Sequence, residues 1–194
     1  MACTLTLITG QPTAGPADEA VLAAARRSLD EAEVSGRPYE MCAALSHLAS
    51  CYRADGAIDV AVALFDQSLH WARVSGSTDL LVDLLCQASD LSAGPKQQAD
   101  ASGPAPAHAP ARHDAAADRA RGLAAEASSL ASHVADPAWE SKVLLRLSDV
   151  LDRLGDHGDA LTLQMRALSL MSGAADSADA GVSTGTAPAH TTLQ

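Results

Sequence analysis

Apolar and polar positions alternate along this chain with a period near 3.6, and two stretches carry the pattern most clearly. From Leu45 to Gly76, Leu45, Leu48, Ala49 and Tyr52 fall on one helical face, Asp55-Gly56 interrupts, and Ala61, Phe65, Ser68 and Leu69 fall on one face of a second helix. Leu144, Leu147, Ser148 and Leu151, then Gly155-Asp156, then Ala160, Gln164, Ala167 and Leu168 repeat the arrangement 99 residues later. Each stretch predicts a pair of amphipathic helices joined by a tight glycine turn. Small residues at Ala49 and Ala61 would let the two helices approach closely.

The remaining segments follow by the same reading. Residues 1–16, ending in Gln-Pro-Thr-Ala-Gly-Pro, predict a disordered arm. A helix is expected from Ala17 to about Gly36, with Val21, Ala25, Leu29 and Ala32 as its core stripe. Its end, Ser-Leu-Asp-Glu-Ala-Glu-Val-Ser-Gly at 28–36, matches Ser-Leu-His-Trp-Ala-Arg-Val-Ser-Gly at 68–76, an internal repeat of 40 residues. Carried forward, that offset places a helix over 77–92 with Leu81, Leu84, Leu85 and Ala88 inside, although Ser89 and Ser92 fit its inner face poorly. Residues 93–113 carry four prolines and no large apolar side chain, and predict a disordered insertion between two paired helices. Helical character returns at 114–134, with Leu123, Ala124, Ala127, Leu130 and Ala131 inward, and Asp136-Pro137 reads as the cap and first turn of the next helix. After about residue 172 the tail 173–194 has no apolar face and is expected to be disordered.

The two strongest hairpins resemble the tetratricopeptide repeat. The residues that carry the resemblance are Leu48-Ala49, Tyr52, Gly56, Ala61, Phe65 and Ser68-Leu69 in the first hairpin. In the second hairpin Ser148, Leu151 and Gln164 replace the family's usual small residue, Tyr and Phe. The resemblance covers 17–92, as a half repeat, a full repeat and the first helix of a third. It resumes over 114–172, as the second helix of the interrupted repeat and a last full one. It implies an all-α, right-handed α-solenoid of about seven helices, whose concave wall is lined by the first helix of each repeat and binds a partner protein or peptide. The inward positions it implies are Ala43, Ser46, Ser50 and Arg53, then Asp83, Cys86, Gln87 and Asp90, then Lys142, Leu145, Arg146, Asp149 and Arg153.

Composition narrows the function without naming it. The net charge of −11, from 24 acidic and 13 basic residues, argues against nucleic-acid or anionic-membrane partners. No run approaches the ~20 apolar residues of a membrane span, and the amino terminus lacks a basic signal-peptide region, so a cytoplasmic location is expected. Cys3, Cys42, Cys51 and Cys86 have no Cys-x-x-Cys spacing and read as reduced packing residues.

Candidate chemistry is sparse. Lys142 and Arg146 share a helix face, as in clamps that some tetratricopeptide domains use for a peptide carboxylate. Ser46 and Ser50 stand where such a clamp wants Lys and Asn, and a solvated basic pair flanked by Glu140 and Asp149 is the plainer reading. His47 and Cys51 are four apart, but two ligands do not make a zinc site. His70, Trp71 and Trp139 read as packing residues near helix ends. Asp55, Asp59, Asp156 and Asp159 sit at turns and first helical turns, where capping and dipole complementarity explain them. No phosphate loop, nucleophile elbow or metalloprotease helix is present, and neither metal nor cofactor is expected. The expected role is a non-catalytic interaction module. A small-ligand sensing domain and a scaffold self-associating through its stack ends are the alternatives.

Overall fold

The computed structural model describes residues 16–94 and 109–180, with side chains described over 19–94 and 114–173. The expected arm, the middle of the expected insertion, most of the expected tail and Cys3 lie outside the described residues. Among those described, all regular structure is helical: α1 (Pro16–Ser35), α2 (Pro38–Ala54), α3 (Ile58–Ser75), α4 (Thr78–Ala93), α5 (Ala109–Ala131), α6 (Pro137–Arg153) and α7 (His157–Ala180). The described residues form two compact units, divided between Ser77 and Thr78.

In the first unit α2 packs on both α1 and α3. The chain turns from α2 into α3 through Gly56 at φ 79°, a left-handed conformation that a side chain would resist. Met41, Leu45, Leu48 and Ala49 of α2 are buried, as are Ala61, Leu64, Phe65, Leu69 and Ala72 of α3. Ser68 is buried too, because its hydroxyl donates to the Cys42 carbonyl at 2.9 Å and so leaves no polar atom without a partner. In α1, Ala25 and Ala32 are buried but Val21 is half exposed, contrary to the expected stripe. Among the described residues of this unit α1 packs chiefly on α2, and Ala25 and Ala32 are its buried positions.

In the second unit two antiparallel pairs are present, α4 with α5 and α6 with α7, and α6 also packs on α4 and α5. Ser89 of α4 donates to the Ala120 carbonyl at 2.8 Å, and three residues on, Ser92 accepts from Arg119 Nε at 3.2 Å. Advancing along α4 thus goes back along α5, so the two run antiparallel. The serines that disturb the apolar pattern of α4 are hydrogen-bonding positions against α5. Ala120, Ala124, Ala127 and Ala131 form the buried strip of α5, so small that its backbone can lie close to its neighbours.

Between α4 and α6 the register is different. Asp83 pairs with Arg146 and Asp90 with Arg153, and both pairs are 63 residues apart. A constant separation means that the two helices run in the same direction, side by side over two turns. An antiparallel pair would have crossed the partners.

Element ends depart from the sequence reading in two places. α4 runs to Ala93 and α5 begins at Ala109, so residues 109–113 of the expected insertion are helical. Pro110 falls in the first turn, where its missing N–H removes no helical bond. α7 continues through Gly173 to Ala180, across an alanine-rich segment of high helix propensity.

Asp136 caps α6, accepting from the Ala138 and Trp139 amides at 3.0 and 3.1 Å. Asp136→Ala is expected to lower stability by about 1 kcal/mol, read as a shift in urea midpoint without a change in slope.

Candidate functional site

The inward positions expected from the sequence fall into two groups, each taken within its own unit. On α6, Arg146 and Arg153 are two turns apart and reach α4. Arg146 Nη1 donates to Asp83 Oδ1 at 2.7 Å, and Asp83 Oδ2 also accepts from Gln87 Nε2 at 2.7 Å. Arg153 pairs with Asp90 and donates to the Gly94 carbonyl at 2.9 Å. Five of the expected residues therefore tie two parallel helices together in two polar clusters, Asp83 with Gln87 and Arg146, and Asp90 with Arg153. Lys142, Leu145 and Asp149 stand exposed on α6 beside them.

Cys86 lies beneath these clusters, not in them, with 2% exposure; the implied inward position is corrected to a core one. Burial pushes its thiol up to about 11, against the pull of Arg146, with the Asp83 charge adding to the rise. Cys42 is likewise pushed up by burial, the Ser68 bond opposing. Both thiols stay protonated and unreactive at neutral pH.

On α2 the expected residues make no such clusters. Ser46 donates to the Ala43 carbonyl at 3.0 Å and Ser50 to the Ser46 carbonyl at 2.9 Å, so both hydroxyls are spent on their own helix. Arg53 is exposed near the end of α2. His47 is exposed at an open groove of about 570 Å³ between α1 and α2, together with Glu31, Arg37, Tyr39 and Glu40. Among the described residues no group of three or more His, Cys, Asp or Glu is placed to hold a metal ion. No helix among them is long and apolar enough to cross a membrane.

Two further ion pairs lie outside the sequence reading. Glu140, expected to flank Lys142 and Arg146, is instead buried against α7, where it accepts from Arg166 at 2.5 Å. Its spacing was the available signal, since Glu140 lies on the Leu144, Leu147, Leu151 stripe of α6. Asp156 was read as a turn cap, but its carboxylate accepts from Arg121 of α5 at 2.6 Å. Asp55 supplies no side-chain cap to α3, whose N-cap is Ala57. Arg121 and Arg166 border an open cleft of about 540 Å³ between α5 and α7, with Ala124, Ser128, Leu151 and Leu163 along it. Both guanidinium groups are already held by carboxylates, which leaves no uncommitted charge among them for a ligand.

No family model matches the chain, and no curated protein matches it. The crystal structure of BtubC (BKLC) from P. vanneervenii aligns with 93% of this chain and 99% of its own at 15% identity, with a TM-score of 0.28. A superposition that loose carries no argument about fold or function.

Proposed function

We propose that the protein is a tetratricopeptide-like helical-repeat module, non-catalytic, that binds an extended or helical segment of a partner protein along the wall made by α4 and α6. The reading rests on the matched spacing of the Asp83–Arg146 and Asp90–Arg153 pairs. Parallel first helices, each with an antiparallel second helix behind it, are how stacked hairpins of a solenoid expose one continuous wall. The pairs fix the wall's shape, and Lys142, Leu145 and Asp149 give it a basic, an apolar and an acidic contact point. A rigid polar surface of this kind selects by charge register while spending little entropy on ordering itself.

Arg146→Glu tests it. Arg146 and Asp83 are both about half exposed, so the pair contributes only about 0.2–1 kcal/mol and the variant should keep its helical circular dichroism. Placing a carboxylate against Asp83 should reduce partner recovery in affinity capture from the native host at least about tenfold. Equal recovery by the variant and the parent chain would remove the α4–α6 wall as the binding surface.

A further inference from the structure

The outer side of α7 is apolar and uncovered. Leu161, Met165, Leu168 and Met171 are exposed by 56%, 64%, 59% and 42%. Leu168 belongs by sequence register to the packed face of its hairpin, and its counterpart in the first hairpin, Leu69, is 2% exposed. The counterpart of Met165 is Asp66, a residue suited to water. At these positions α7 therefore carries large apolar side chains both where a neighbour is needed and where α3 tolerates solvent. Leu161, Met165 and Leu168 are spaced four and three apart, the spacing of a helix–helix seam.

We propose that this face is a homodimer interface, in which α7 packs antiparallel on α7 of a second copy about a two-fold axis at Met165. In that arrangement Leu161 of each chain meets Leu168 of the other, so the stripe is complementary to itself.

Two observations favour a second copy as occupant. From Leu161 to Gly173 the helix has one charged residue, Arg166, and that one is held by Glu140, so two chains of net charge −11 can meet here without placing like charges together. Residues 95–108 have no large apolar side chain and residues 181–194 have only Val182 and Leu193, too few to cover four. Residues 1–15 carry Met1, Leu5, Leu7 and Ile8, about 23 Å of extended chain against about 15 Å of helix from Leu161 to Met171, and deletion of that arm separates it from a second copy.

A single helix pair buries less than the ~800 Å² per partner of a stable complex, so the dimer should be weak and form at about 10–100 µM. Sedimentation equilibrium of the full chain should show the mass rising from 19.8 kDa toward twice that value, more readily at high salt, which screens the overall repulsion. Met165→Lys and Met165→Glu should each weaken the dimer at least about tenfold with an unchanged melting temperature, and mixing the two variants should restore it, because only a self-contact at that residue brings the new charges together.

A monomer at every concentration overturns the proposal, as does a dimer indifferent to Met165. If deleting residues 1–15 creates the dimer, the arm is the natural occupant and the proposal is equally overturned. Met165 lies outside the α4–α6 wall, so partner capture and self-association fail separately.

Discussion

Phe65→Ala is expected to unfold most of the first unit while leaving the second in place. Phe65 is the chain's one phenylalanine and is fully buried on α3. The unit's other buried positions include small and aliphatic residues: Ala49 and Ala61 are fully buried, and Leu45 and Leu48 nearly so. Alanine and leucine side chains already in close contact cannot flow into the space a benzyl group vacates, so the lost transfer energy and the cavity add. The expected cost is about 3–5 kcal/mol. A domain of this size has on the order of 5 kcal/mol in total, so little would remain. A thermal scan followed at 222 nm should show a transition lowered by more than about 15 °C, with part of the helical signal melting at the parent temperature. A shift under about 3 °C would mean that the core of this unit is not organised on Phe65. The matched position in the second hairpin is Gln164, which is only half buried, and Gln164→Ala should be nearly silent by the same measurement.

That contrast marks how far the sequence could be read. Periodicity places α2, α3 and α6 with most of their inner residues; in α4 it finds Leu84, Leu85 and Ala88 but misses Val82 and takes in Leu81, which is only partly buried. On α1 and α7 it finds Ala25, Ala32, Ala160 and Ala167 but also predicts burial for Val21 and Leu168, which are exposed. Among the described residues α1 packs chiefly on α2 and α7 on α6 within their units, so part of each sequence-defined apolar stripe stays exposed, as Val21 and Leu168 do. For the candidate wall, the tetratricopeptide resemblance implies inward positions for Asp83, Asp90, Arg146 and Arg153. It could not say that they would neutralise one another, because a pairing 63 residues apart depends on how two hairpins stack. Cys86 escaped for a related reason: on a helix flanked by two others, the inward-facing strip narrows to fewer residues than one turn supplies. Ser68 and Ser89 looked like flaws in apolar faces. They are positions where a hydroxyl reaches a neighbouring helix's carbonyl, and nothing in one helix's sequence reveals that acceptor.

Arg166→Met should destabilise the second unit by about 2–4 kcal/mol, far more than Arg146→Glu, although both remove one arginine from one ion pair. The difference lies in the carboxylate left behind. Asp83 is about half exposed, so water replaces a lost guanidinium there at little cost. The Glu140 side chain is 8% exposed and sits on the leucine stripe of α6, where a charge without a partner has neither water nor a counter-ion. Because Arg166 itself is almost half in solvent, some water should follow its removal, which keeps the expected cost below that of a fully enclosed pair. Glu140→Gln in the same chain should then recover most of the loss, since a neutral amide is far cheaper to bury than an unpaired charge. Urea denaturation of the parent, the two single variants and the double variant measures this coupling directly. A single-variant loss under about 1 kcal/mol, or a double variant no better than Arg166→Met alone, would show that Glu140 is not desolvated as its burial implies. Arg166 and Met165 are adjacent on α7 yet act in opposite directions, one tying the helix inward to α6 and the other facing out. Arg166→Met should therefore melt the unit that carries the outer stripe, whereas Met165→Lys should leave it folded and change only what it meets.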